Sequence, residues 1–290
     1  MLRNKKHYGF TLVELSLSIA FIAILSISIV LIITNTISSY HRGLTLSQLN
    51  TIGMDLVDDM RSSIQSATAR SVVAECSSIY NDNKLTDKDN CEKNNGERFV
   101  SVTRKGEISG LGDNYPLYGA FCTGNYSYIW NSGYSFSSDY GTNSAPRATF
   151  TYRLAGSNDE TSTTDFKLLK VKDESRSVCI SAVTDGYNKE DISFDISAEN
   201  YPSLSEEPID LLDADSSMAI YDIYSSSPAD NPFGNELFYS VSFILGTVNG
   251  GINVKSSGNY CAAPSSYNNA ENFDYCAINK FNFAAQAVGG

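Results

Sequence analysis

Histidine is nearly absent from this 290-residue chain: His7 and His41 are the two examples, and both precede residue 42. A Ser-His-Asp or Cys-His hydrolase needs an imidazole base beside its nucleophile, so the remainder lacks the usual machinery for that chemistry. A histidine-ligated metal is excluded there for the same reason. Paired carboxylates such as Glu206 with Glu207, or Asp213 with Asp215, would suit a glycosidase. Nothing in their pattern sets them apart from other acidic residues, and the chain reads as a non-enzyme.

Basic charge is also scarce, with 21 Lys and Arg against 33 Asp and Glu, a net −12 that becomes −15 if Arg3, Lys5 and Lys6 are removed. No basic face is available to displace counterions from phosphates, so no nucleic-acid contact is expected. Cysteine is missing before Cys76, and the six from there onward never stand at the close spacing that zinc sites favour. An even count in a Ser-, Asn-, Gly- and Tyr-rich stretch fits an oxidising compartment and up to three disulfides. Cys76 and Cys91 are separated by the same interval as Cys261 and Cys276, which leaves Cys122 with Cys179. A closed loop of that size stabilises by about 3 kcal/mol in the chain-entropy model. Six cysteines nonetheless allow 15 connectivities, and spacing does not choose among them.

Proline and glycine are absent from Phe10 to Ile33, FTLVELSLSIAFIAILSISIVLII, an unbroken apolar run whose one charge is Glu14. As a helix it extends about 36 Å, enough to cross a hydrocarbon core of roughly 30 Å. Arg3, Lys5 and Lys6 precede it, and acidic Asp55, Asp58 and Asp59 follow beyond His41 and Arg42. The positive-inside rule keeps the N-terminus cytoplasmic and exports the rest. A secretory signal would have a shorter apolar region ending in a small-residue cleavage site. This run is too long and ends in Thr34-Asn35-Thr36-Ile37-Ser38-Ser39-Tyr40. A plain single-pass anchor shares the hydropathy. What separates the readings is Glu14, because a charged residue at the centre of a membrane helix costs roughly 2.5–3.5 kcal/mol and needs a partner or a purpose.

Glu14 stands in Lys5-Lys6-His7-Tyr8-Gly9-Phe10-Thr11-Leu12-Val13-Glu14. This closely resembles the cleavage motif of type IV prepilins and pseudopilins: a basic leader, Gly, Phe, Thr-Leu-x-Glu and an unbroken apolar helix. The resemblance is carried by the leader and the apolar helix and does not extend into the rest of the chain. It implies cleavage between Gly9 and Phe10 by a prepilin peptidase, N-methylation of the new Phe10 terminus, and assembly with other pilin subunits through the N-terminal helices. The cationic amine at Phe10 of one subunit would then pair with Glu14 of a neighbour, a buried ion pair that speaks for register more than for stability. Gly9 lets the protease approach the backbone. Many filament-forming members carry a Pro well into the mature helix, whereas the corresponding region around Leu31 has neither Pro nor Gly. With a head this long, the sequence leans towards a minor or priming subunit.

Beyond the membrane segment, Leu49, Ile52, Leu56, Met60 and Ile64 recur at three- and four-residue spacing. This predicts an amphipathic helix to about Ala74 that packs on the protein's own head. Gly43 and Gly53 read as tolerated interruptions, each costing about 1 kcal/mol relative to Ala. From Cys76 the pattern changes to short apolar or alternating runs between Gly, Asn, Asp and Pro clusters. Strands are expected at 98–103, 126–130, 148–154, 166–171, 177–183, 192–196, 218–224 and 238–245, with exposed loops at 81–95 and 156–165. The expected fold is therefore α+β, a long N-terminal helix packed on a mostly antiparallel β-sheet head. Its parts are a leader (1–9), a transmembrane and filament-core helix (10–36), an amphipathic stem (37–75) and an extracellular disulfide-bonded head (76–290). Asp82, Asp87, Asp89 and Glu92 offer oxygen ligands to calcium but depart from the EF-hand order. The favoured reading is a plain acidic loop and no cofactor. Tyrosine-rich runs such as 126–130 and 134–136 read as core aromatics in preference to a recognition surface.

The functional expectation is a minor pilin: inserted in the cytoplasmic membrane, processed, and built into an extracellular filament that serves adhesion, motility or DNA uptake. A pseudopilin of a type II secretion system shares every N-terminal residue used here. A membrane-anchored adhesin with an uncleaved helix is the alternative from another class.

Overall fold

The computed structural model describes residues 11–67, 100–108, 112–136, 147–156, 161–164, 166–173, 178, 203–212, 217–226, 238–248, 254–255, 260–261 and 276–287. It is an α+β chain with one long apolar N-terminal helix and mostly antiparallel sheets.

Helix α1 runs unbroken from Leu12 to Gln65, about 80 Å at 1.5 Å per residue. Thr11 caps its start and Ser66 its end, where the Ser66 amide reaches the Ser62 carbonyl at 3.0 Å. The helix therefore ends well short of the expected Ala74. The Asn125 side chain donates to the Ser66 carbonyl at 3.2 Å, so a head turn takes up one of the terminal carbonyls that a helix cannot satisfy itself.

Thirteen strands are described: β1 (Val100–Ile108), β2 (Gly112–Cys122), β3 (Tyr126–Asn131), β4 (Phe150–Leu154), β5 (Thr161–Thr164), β6 (Leu168–Lys172), β7 (Ser203–Leu204), β8 (Ile209–Asp210), β9 (Met218–Ser226), β10 (Phe238–Thr247), β11 (Val254–Lys255), β12 (Tyr260–Cys261) and β13 (Ile278–Gln286). A five-stranded antiparallel sheet has the order β1-β2-β3-β6-β8, and a three-stranded one the order β13-β10-β9. A second three-stranded sheet, β5-β4-β7, contains the parallel pair β4-β7, and β11 pairs with β12.

Six expected strands are present with shifted ends. The expectations at 177–183 and 192–196 lie outside the described residues apart from Val178, which is not in a strand, as does the loop at 81–95. The loop expected at 156–165 contains strand β5, whose Ser/Thr-only sequence offers no apolar alternation to read. Both β2 and β13 were absent from the expected set. In β2, Pro116 and its neighbouring Gly and Asn residues signal a turn. Strand β3 pairs with only 118–122 of β2, so Pro116 lies outside that ladder, and it meets Lys105 of β1 beside a register shift. A missing amide is tolerated at such a place.

The stem docks between two sheets. Leu49, Leu56, Val57, Met60 and Ile64 are buried in one core with Phe121, Tyr128 and Trp130 of the five-stranded sheet and with Val241, Phe243, Phe281 and Phe283 of β10 and β13. All five residues of the expected apolar stripe contribute, Ile52 from its margin. One flank is pinned by polar groups. The buried Tyr128 hydroxyl lies 2.5 Å from the Ser63 hydroxyl and donates to Asp59 Oδ2 at 2.8 Å, while Lys170 Nζ reaches Asp59 Oδ1 at 2.7 Å. Burial, and then the Asp59 charge, push the Tyr128 phenol far above its ordinary value. On the other flank Asn50 accepts from Asn279, and the Arg61 guanidinium lies 5.7 Å from the Phe283 ring centre.

A second core joins the sheets through an edge-to-face series, Tyr115–Tyr134 at 5.2 Å and Tyr134–Tyr221 at 5.0 Å. Tyr128, Trp130 and Tyr134 are buried, as expected of core aromatics. Between β1 and β9, the Thr103 hydroxyl donates to Asp222 at 2.9 Å, and burial raises the Asp222 carboxyl above the ordinary range.

Candidate functional site: the exposed apolar helix

The lower half of α1 packs on nothing in the described chain. From Leu12 at 84% exposure to Ile32 at 64%, its large apolar side chains lie open, and in the described remainder beyond α1 the one comparable side chain is Ile209 at 60%. Leu12 to Ile37 spans about 39 Å as helix, and it is long and apolar enough to cross a membrane. A contiguous apolar surface of this size in water would drive association or membrane insertion.

Its hydroxyls suit an apolar surrounding. Ser16, Ser18, Ser26, Ser28, Thr34 and Thr36 each donate to a carbonyl three or four residues earlier, at 2.8–3.1 Å. None of the six has to carry an unsatisfied donor into lipid or a helix bundle, where each would cost several kcal/mol by the scales for polar burial.

Glu14 sits in the first turn. Thr11 donates both its amide and its hydroxyl to Glu14 Oε2, each at 2.9 Å, and the Glu14 amide donates to Thr11 Oγ1 at 3.3 Å. This is a capping box, which satisfies helix-end donors reciprocally. Its T-x-x-E spacing was present in the sequence and assigns Glu14 a role inside its own chain. Among the described residues the Glu14 carboxylate is bonded to the Thr11 amide and hydroxyl through Oε2, so this oxygen holds the helix start. Gly9 and Phe10 lie outside the described residues, and with them the intersubunit pair expected of Phe10 and Glu14.

Of the other expected site residues, few lie among those described. Cys122 and Cys276 are each disulfide-bonded, and no cysteine among the described residues is free. Cys76, Cys91 and Cys179, and the side chain of Cys261, are outside the described set, so the expected pairings are too. Val178 donates its amide to Asp173 Oδ2 at 3.0 Å, and Ser127, the register partner of Cys122, donates to the same oxygen at 3.2 Å. The residue preceding Cys179 is thus anchored near Cys122. Glu206 is ion-paired with Lys172 at 2.6 Å. Asp213, Asp215 and the acidic set Asp82, Asp87, Asp89 and Glu92 lie outside the described residues, and no metal-binding cluster occurs among those described.

The sequence marks Gly43 and Gly53 alike as tolerated helix interruptions, and of the two only Gly53 has a packing role. A Cβ built there would run into the Phe281 ring, whereas one built on Gly43 meets nothing within 4 Å. At Gly53 the stem backbone lies directly against the Phe281 ring of β13. The glycine's place between Leu49 and Leu56, in the apolar stripe, was the available signal.

No family model, no curated protein and no solved structure matches this chain.

Proposed function

We propose that the chain is a minor pilin, a structural subunit whose N-terminal helix first anchors it in the cytoplasmic membrane and then packs with like helices in an extracellular filament. The observation that carries this reading is the segregation of apolar surface. Exposed large apolar groups occupy α1 from Leu12 to Met54, while the described head offers Ile209 alone. A membrane anchor explains about 30 Å of such a surface. Tyr40, Leu44 and Leu46 lie beyond it, and they are covered when helices bundle. The Gly9-Phe10-Thr11-Leu12-Val13-Glu14 motif supports the same reading, because cleavage before Phe10 creates a cation one residue from the Thr11–Glu14 cap. Prepilin peptidase and other pilin subunits are the partners this implies, with the head carried outside the cell.

Mechanical shearing tests the proposal. Filaments sheared from cells and washed of membrane should contain the chain in substoichiometric amount. Its confinement to the membrane fraction, while the same cells shed other filament subunits, would reduce it to an anchored ectodomain.

A further inference from the structure

Helix α1 has a span suited to lipid at one end and a seat in the head at the other. The apolar run reaches Ile37, and the head's core takes in the helix from Leu49 onward. Between them, residues 39–44 are exposed and Thr45 is half-buried. A Cβ built on Gly43 meets nothing within 4 Å, whereas one on Gly53 strikes the Phe281 ring. The sequence of this connecting stretch favours helix weakly. Ser39, Tyr40, His41 and Thr45 rank low in helix propensity, and Gly43 ranks lower still. Arg42 has no acidic residue within four positions on either side, so the stretch lacks the kind of ion pair that Arg61 makes with Asp58 at 3.1 Å in the docked stem. The Thr45 hydroxyl donates to the His41 carbonyl at 3.0 Å, a back-bond that weakens the helix ladder and tends to bend it.

We propose that residues 39–45 form a hinge in α1, which opens by itself while the span below and the docked stem above stay helical. The head and upper stem then turn as one body above the membrane. Exposure alone does not single out this stretch, since 12–37 is exposed as well. The surroundings do. Lipid offers no hydrogen bonds to compete with the ladder of 12–37, and from Leu49 the ladder is backed by a buried core. At 39–45 water competes for every backbone group, and a segment with few buried contacts opens locally at small cost. A stretch this short is not stable as helix alone and takes its order from the helix on either side. The hinge needs only the membrane span and the seated stem, so it stands whether or not the chain enters a filament.

Amide hydrogen exchange on the full chain, held in nanodiscs of phosphatidylethanolamine and phosphatidylglycerol, tests the hinge. Amides at 40–45 should exchange at least about tenfold faster than those at 56–64, and a smaller ratio overturns the proposal. Gly43→Ala should slow exchange at 40–45 roughly fivefold, the gain in helix propensity expressed as a ratio, and leave 56–64 unchanged. Slowing of both segments together would mean that α1 opens as one unit, and slowing of neither would mean that Gly43 does not set the opening. Either outcome overturns the proposal. Turning of the head is read by spin labels placed at Ile37 and Met54, about 26 Å apart along a straight helix. The unaltered chain should show a broad distribution extending to shorter distances, and Gly43→Ala should narrow it towards the straight-helix value. One narrow peak at that value in the unaltered chain would contradict a hinge.

Discussion

Glu14→Ala should leave the chain cleaved and inserted in the membrane but lower its incorporation into sheared filaments by about a hundredfold or more. Removing one member of a buried ion pair costs about 3–5 kcal/mol, because the other charge stays desolvated and unpaired, and about 1.4 kcal/mol is a factor of ten. Glu14 also closes the capping box with Thr11, so the alanine variant loses a cap worth about 1 kcal/mol as well. Glu14→Gln separates the two effects. Glutamine serves at the third position of a capping box but carries no charge for the Phe10 amine. Incorporation of Glu14→Gln as poor as that of Glu14→Ala assigns the defect to charge. Near-normal incorporation would mean that Glu14 serves only to start its own helix.

Gly53→Val should destabilise the docked stem by about 1–3 kcal/mol, the usual range for overpacking a filled core. Phe281 cannot easily swing aside, since its ring is buried and stacked on Phe243 with centroids 5.1 Å apart. The gain in helix propensity on leaving Gly is under about 1 kcal/mol, so the clash wins. At Gly43 nothing lies within 4 Å, and Gly43→Ala should raise stability by up to about 1 kcal/mol. Denaturant titration of the detergent-solubilised chain measures both. Opposite signs are expected, and two stabilising substitutions would mean that the stem does not seat on β13 in solution.

These two glycines mark where the sequence stopped being legible. Both look like helix interruptions, and only the position of Phe281, at the far end of the chain, tells them apart. The helix itself was readable from local pattern: an uninterrupted apolar run, then a stripe from Leu49 to Ile64 at helical spacing that packs as expected. Its end was not, because the residues after Gln65 carry no Gly or Pro stop, and the Asn125 contact that receives Ser66 is non-local. Strands with apolar alternation, such as β9 and β10, were visible. Strand β13 escaped although Phe281, Phe283, Ala285 and Ala287 alternate inward, since its Asn, Ala and Gln residues are weak strand formers. For the site, the apolar surface and Glu14 were legible. The Asp59–Tyr128–Lys170 cluster that fixes the stem to the head was not, because no local pattern links residues so far apart.

Mass spectrometry of the mature N-terminus, on protein purified from its native membrane, reads out prepilin processing at Gly9–Phe10. A chain that begins at Phe10, with its terminal amine methylated, is the expected result. A chain that begins at Met1 or Leu2 would contradict prepilin processing and leave α1 a permanent anchor.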